Sequence, residues 1–312
     1  MAVDGNSLFH RAYHAYEGTG LMGAGRPRWA VYGFMALLAG ICDISGADGV
    51  VVAFDGEGDS VRKAMYPPYK EGRAEKPEAL VSQLAEIEVL LGELGVNVIC
   101  QDGLEADDVV AAVSKACERS GVRCTIATSD RDAFCLISEN TTVLRLVSGL
   151  ANAVAMTPDV LVEKVGVRPE QYLDYAALRG DKSDNLDGVN GIGEKTAARI
   201  LSVMGSVEAA LCDLERVERD CGKAAARRLG ADGAREIVER NKRIMTPVTD
   251  IEVDLLAAVP TKGPHEVRDV LVRWELGRLY GRVFKAIGKA GVRESFGPQY
   301  VGAGAYEDEA PF

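Results

Sequence analysis

The strongest constraint on the fold is a repeated alternation. Short apolar runs rich in β-branched residues are separated by long amphipathic stretches. GVVVAFDG (49–56) ends at Asp55 and VRCTIATSD (122–130) ends at Asp130. NVICQDG (97–103) and TTVLRLV (141–147) have the same form. The intervening stretches, 29–44, 78–95 and 106–121, carry helical spacing. Continuously apolar strands alternating with helices of this length predict an α/β fold, a mostly parallel sheet covered by helices on its faces. Near residue 157 the pattern changes. TPDVLVEKVG offers Thr157 as an N-cap and Pro158 at the first helical position, and short helices are expected to about residue 290. The expected organisation is a sheet domain over 1–156, a helical subdomain over 157–290 and a flexible acidic tail over 291–312.

Open α/β sheets place their sites at the carboxyl ends of their strands. The acids expected there are Asp4 after a very short first strand, Asp55, Glu105 with Asp107 and Asp108, and Asp130 with Asp132. Asp181 and Asp184 join them from LRGDKSDNLDGVNGIGEKTAARIL (178–201). Any one of these could be an N-cap or turn residue, and Asp107 and Asp108 begin a helix, where the macrodipole alone favours acids. The whole set on one edge has no such explanation, because like charges gathered in low dielectric repel. A hard divalent cation with oxygen ligands, Mg²⁺ or Mn²⁺, is the natural counter-charge, and a carboxylate-only site able to hold two suits transfer of a phosphoryl group to water.

Two further segments point to nucleic acid. VRKAMYPPYKEGRAEKPEAL (61–80) interleaves Arg62, Lys63, Lys70, Arg73 and Lys76 with Tyr66 and Tyr69, so charges could meet phosphates and a ring could stack on a base. GVNGIGEKTAARIL (188–201) has the form of a helix–hairpin–helix, expected over 186–202. Gly191 and Gly193 allow close approach to a phosphate, and Lys195, Thr196 and Arg199 follow at once. The net charge of −11 opposes loose affinity for nucleic acid and predicts steep salt sensitivity, since only local basic patches favour binding. The 7 cysteines are odd in number and include no Cys-x-x-Cys pair, which fits a reducing compartment without a thiolate zinc site. No signal-peptide layout or membrane-length apolar run is present, and a cytoplasmic, nucleoid-associated location is expected.

Taken together, VDGNSLFHRAYHA, AVYGF, VVAFDG, YPPYKEGR, LEADDVVA, TSDRDAFCLIS and LRGDKSDNLDGVNGIGEKTAARIL resemble the metal-dependent 5′-nuclease family in family order over about residues 3–290. That family comprises the 5′→3′ exonuclease domain of bacterial DNA polymerase I and stand-alone flap endonucleases. The resemblance implies a PIN-like core with a helical arch over about 57–85. It implies two metals, one near Asp4, Asp55, Glu105, Asp107 and Asp108, the other near Asp130, Asp132, Asp181 and Asp184. Lys70 and Arg73 match arch residues that reach the scissile phosphate, Tyr69 an arch aromatic, and Arg11 a basic position near the active site. Arg62, Tyr66, Tyr69, Lys182, Gly191, Gly193, Lys195, Thr196 and Arg199 are the expected DNA contacts, with a K⁺ ion on the hairpin carbonyls. The implied activity is metal-dependent 5′→3′ exonuclease or flap endonuclease cleavage of DNA bearing a 5′ flap, nick or overhang, by a monomer that works with a separate DNA polymerase. An RNA-primer or hybrid nuclease of the same fold, and a non-catalytic junction-binding module, are the alternatives. The sequence departs from the family in its first strand, where only Met1, Ala2 and Val3 precede Asp4, so either the true start lies upstream or the edge of the sheet is weakened. No polymerase segment follows within the 312 residues.

Overall fold

A computed structural model describes residues 1–23 and 25–287, so the expected tail lies outside the described residues. The main sheet has six strands: β1 (Ala2–Asp4), β2 (Val51–Asp55), β3 (Asn97–Gln101), β4 (Cys124–Thr128), β5 (Thr141–Arg145) and β6 (Val154–Met156). Their order is β3-β2-β1-β4-β5-β6. All neighbours are parallel except β5 and β6, where Val143 pairs with Met156 in an antiparallel edge that the sequence reading missed. β1 is short but central. Ala2 pairs with Val51 on one side and Ile126 on the other, so the expected weakness at a sheet edge does not arise.

Alternate strand residues feed two cores, as the pleat requires. Ala2, Val51, Ala53, Ile126 and Val143 pack on one face with the helix Ala106–Arg119. Val3, Val52, Phe54, Ala127 and Leu144 pack on the other with the helices Gly5–Tyr16, Trp29–Ser45 and Glu78–Glu93. Burial on both faces is why these strands read as unbroken apolar runs.

The expected helical second half is present, with Thr157 capping Pro158–Val165 through Val160 N–H. Two details differ from expectation. The helices Pro264–Arg273 and Tyr280–Ile287 leave the helical subdomain, and Val267, Val270, Leu271, Val283 and Ile287 bury with Val3, Phe34 and Leu38 in the sheet's second core. The expected arch is helical at Val61–Met65 and again from Glu78, where the helix Glu78–Glu93 begins. Residues 66–77 form turns and extended chain, which Pro67, Pro68 and Pro77 enforce. Among the described residues no helix is long and apolar enough to cross a membrane.

Candidate active site

The carboxyl ends of β1, β2 and β4 open into a cleft of about 1350 Å³. Asp4, the last residue of β1, caps the helix that follows it, accepting from Ser7 N–H at 2.9 Å and from the Thr128 hydroxyl at 2.7 Å. Gly5 is required beside it, because a Cβ there would fall 2.6 Å from the Ala53 carbonyl oxygen. Asp55 ends β2 and accepts from Asn6 Nδ2 at 2.5 Å and from Ala106 N–H at 3.0 Å. Asp130 follows β4 and accepts from Asp132 N–H at 2.9 Å. Ser7 and Ser129 share a short hydroxyl–hydroxyl bond that ties the first helix to this loop.

The helical half delivers Asp181 and Asp184 from the opposite wall. Asp181 sits on a ribbon of two two-residue strands, Gly180–Asp181 and Leu186–Asp187, that sequence reasoning missed, and Asp184 on the 3-10 turn Lys182–Asp184 that joins them. The ribbon's glycines permit a close approach no side chain would tolerate. A Cβ on Gly180 would lie 2.2 Å from Gly188 N, and one on Gly188 would lie 2.2 Å from Arg179 O.

Seven of the nine expected acids therefore line one cleft: Asp4, Asp55, Glu105, Asp107, Asp130, Asp181 and Asp184. Asp132 sits behind them, in a pocket of about 30 Å³ that it shares with Asp107 and Tyr69. Its Oδ1 is buried without a hydrogen-bond partner. Burial and the neighbouring Asp130 and Asp181 push the Asp132 carboxyl up to about 7. Burial likewise raises Asp4 to about 6, with Asp130 and Asp55 adding to the effect against bonds from Ser7 and Thr128. Asp107 is raised well above the usual carboxylate range by burial, Asp4 and Asp130. Among the described residues no three acidic, imidazole or thiol groups converge on one point. Even so, hard oxygen donors, a buried orphan carboxylate oxygen and mutual repulsion are what a divalent cation would satisfy, so the residues fit such ions.

Asp108 is a correction. It is fully buried, and Arg62 grips it with two bonds of 2.7 Å. Glu105 N–H and Val248 N–H donate to its oxygens as well. Burial would raise its carboxyl, but Arg62 outweighs that and holds it below the usual range. The pair is structural and leaves no lone pair aimed at the cleft. Arg62, expected on DNA, is corrected with it: it is 5% exposed and also donates to Ile244 O at 2.9 Å. Tyr69, expected to stack on a base, is 4% exposed and donates to Glu105 Oε2 at 3.0 Å. Half-buried Tyr66 has the Arg240 guanidinium 4.8 Å from its ring centroid.

Lys70 and Arg73 do face the acids. Lys70 adopts a left-handed φ of 57°, anchored by its N–H on Asp184 O at 3.0 Å. That strained backbone turns Nζ to Glu105 Oε2 at 2.8 Å. Burial raises the Glu105 carboxyl, but Lys70 and Arg62 together hold it below its ordinary value. Arg73 donates to Asp184 Oδ1 at 2.5 Å. Arg11 lines the cleft and donates to Leu146 O at 2.8 Å, while its Nε is buried without a partner. Lys182 lines the cleft too.

The cleft also holds cations that sequence reasoning did not single out. Arg179 lies 3.9 Å from carboxylate oxygens of Asp132, Asp181 and Glu194, and Arg131 donates to Glu194 at 2.9 Å. Arg179 directly precedes the Gly-Asp step and Arg131 stands between two expected ligands, so proximity to those motifs was the available signal.

The hairpin borders the cleft through Glu194. Gly191, Gly193 and Lys195 are exposed and Thr196 is half-buried at the start of the helix Glu194–Met204. Arg199 is exposed but donates to Asp220 O at 2.8 Å, which ties it to the next helices. Of the hairpin carbonyls on which a K⁺ is expected, that of Gly191 accepts from Arg228 Nη1 at 2.8 Å.

Residues 1–166 match the family described as 5′-3′ exonuclease, N-terminal resolvase-like domain, and residues 167–266 match 5′-3′ exonuclease, C-terminal SAM fold. DNA polymerase I of Mycobacterium tuberculosis is 34% identical over 296 residues, covering 93% of this chain and 32% of that protein. The thermostable DNA polymerase I of Thermus aquaticus is 43% identical over 218 residues, covering 70% and 25%. The chain thus spans about a third or less of the length of the curated relatives it matches. Among solved structures, T5 5′-exonuclease bound to zinc shares the fold at 21% identity and a TM-score of 0.64, covering 93% of this chain and 99% of that one. Human GEN1 in complex with Holliday junction DNA does so at 15% identity and a TM-score of 0.60, covering 96% and 75%. A sheet edge of acids, a helical half that closes over it and two family matches meeting at residue 166 lead to one conclusion: the chain belongs to the 5′-3′ exonuclease family.

Proposed function

We propose that the protein hydrolyses phosphodiester bonds near 5′ ends of structured DNA, such as a flap, nick or overhang. The observation that carries this reading is the cleft itself, where seven acids face a rim of Lys70, Arg73, Arg11, Arg179 and Lys182. The likeness to polymerase I relatives and to nucleases solved with divalent metals or DNA supports it.

When bound, two divalent cations, Mg²⁺ or Mn²⁺, supply a water of lowered pKa and a counter-charge for the leaving oxygen. Asp4, Asp55, Glu105 and Asp107 would hold one, and Asp130, Asp132, Asp181 and Asp184 the other. The chain's own residues orient the substrate. Lys70 and Arg73 exchange their carboxylate partners for the scissile phosphate and offset charge as it develops. Asn6 and Ser7 fix Asp55 and the Asp130 loop, so ligand positions do not depend on substrate. Lys182, Lys195 and the hairpin N–H groups meet phosphates of the duplex, which reads structure rather than sequence. A DNA polymerase is the proposed partner, as the names of the relatives suggest.

The test is cleavage of a 5′-labelled flap duplex in Mg²⁺, with EDTA and Asp130→Asn as controls, beside an equivalent RNA-flap substrate. Metal-dependent release of short 5′ fragments that the substitution abolishes supports the reading. Cleavage by Asp130→Asn at the wild-type rate would overturn the site assignment.

A further inference from the structure

The hairpin and the helix Lys223–Leu229 are far apart in sequence but joined in space. Ala225, Ala226 and Leu229 bury with Ala197, Ile200 and Leu201 of the hairpin helix. This packing fixes the last turn of Lys223–Leu229, where a cation is favoured by the helix dipole, against the Gly-Ile-Gly turn. Arg228 leaves that turn and lies across Gly191. A Cβ on Gly191 would fall 2.7 Å from Arg228 Nε, 3.0 Å from Cζ and 3.1 Å from Cδ. Gly191 has φ 77°, so glycine is demanded twice, once by backbone conformation and once by the guanidinium stem. Arg228 Nη1 donates to Gly191 O at 2.8 Å. The Val189 carbonyl is also engaged, accepting from Ile192 N–H at 2.9 Å.

An alkali cation on these carbonyls would sit against a fixed positive charge. The two cannot share one oxygen at contact distance without strong repulsion. We infer that Arg228 is a duplex-binding residue that serves as the hairpin's built-in cation, bridging the Gly191 carbonyl and a backbone phosphate without K⁺. A guanidinium has five donors in one plane, so the bond to the carbonyl leaves others for a phosphate at the exposed Gly193–Lys195 edge. The charge is then part of the chain and does not depend on the salt around it.

This inference rests on the proposed DNA-binding role of the hairpin, but its test is separate from cleavage. A fluorescent nicked duplex is titrated in EDTA, in potassium, sodium and tetramethylammonium chloride at equal ionic strength. Wild-type affinity should agree within about twofold across the three salts, since total salt rather than cation identity sets the electrostatics. Arg228→Ala should bind about tenfold more weakly in each, with a salt slope smaller by about one. Wild-type binding that collapses when K⁺ is replaced, or Arg228→Ala that binds like wild type, would overturn it. Should Arg228→Ala fail to fold, the wild-type salt series still decides. Flap cleavage with K⁺-dependent binding would sink this inference and leave the nuclease reading standing. Cation-independent binding without cleavage would do the reverse.

Discussion

Asp107 and Asp108 are neighbours in sequence, on the first turn of one helix, and have opposite fates. Asp107 faces the cleft among Asp4, Asp130 and Asp132, and its carboxyl is pushed up. Asp108 points under the cleft to Arg62, and its carboxyl is held down. One region stores repulsion that a ligand would relieve, and the other is satisfied by the protein itself. Buried charge is therefore not one category. What separates a binding site from a structural joint is whether the counter-charge is resident.

The comparison can be broken most directly at these two positions. Asp107→Asn should lower flap cleavage at least about a hundredfold while leaving the metal-free melting temperature unchanged or higher, because it removes a repelling charge. Asp108→Ala should destabilise the fold by about 3–5 kcal/mol, because Arg62 is left buried and unpaired. Chemical denaturation and a cleavage assay on both variants check this. A stable, inactive Asp108→Ala protein would merge the two regions into one site. The double substitution Arg62→Met with Asp108→Leu sharpens the point, since apolar replacement of a buried pair should restore much of the stability lost in Asp108→Ala.

A pH series probes the same contrast more gently. Between about pH 4 and 7 the unfolded chain has released protons that native Asp4, Asp107 and Asp132 retain, so metal-free stability should fall as pH rises through this window. Each proton that the native state retains from pH 5 to 7 adds up to about 2.7 kcal/mol to the drop. His10, lowered by burial, works in the opposite direction with a single proton. Calorimetry in EDTA measures the slope. Asp132→Asn should flatten it, and Mg²⁺ should stabilise more at pH 7 than at pH 5. The smallest expected effect is Tyr69→Phe, which removes the bond to Glu105 for about 1 kcal/mol of stability. A loss of duplex affinity without any loss of stability would return Tyr69 to the DNA surface.

The sheet and most of the acid cluster were legible because a strand buried on both faces must be apolar throughout and must end where polar groups can resume. Val51–Phe54 followed by Asp55 shows both halves of that rule. Arg62 was misread because a basic residue in a proline-rich stretch is usually solvated, and its partners are remote: Asp108 lies 46 residues away and Ile244 182. The Arg228–Gly191 bond spans 37 residues and leaves no periodic trace. The amphipathic stripe of Pro264–Ile287 could be seen, but not which surface it covers. Sequence patterns report what a residue's local geometry demands, whereas pairings made by tertiary packing appear only once the chain is folded.

That packing has a consequence for the order of events during synthesis. The core behind Val3 and Phe34 is completed by Val267, Leu271 and Val283, which leave the ribosome about 220 residues after the Trp29–Ser45 helix. At about 5–20 residues per second the first half waits roughly 10–40 s for its last apolar layer. Asp4 is made long before that layer, yet the sheet face behind its strand waits for it. A chain cut near residue 260 would keep every expected cleft acid and lose that cover. It should expose apolar surface and aggregate rather than persist as a smaller nuclease.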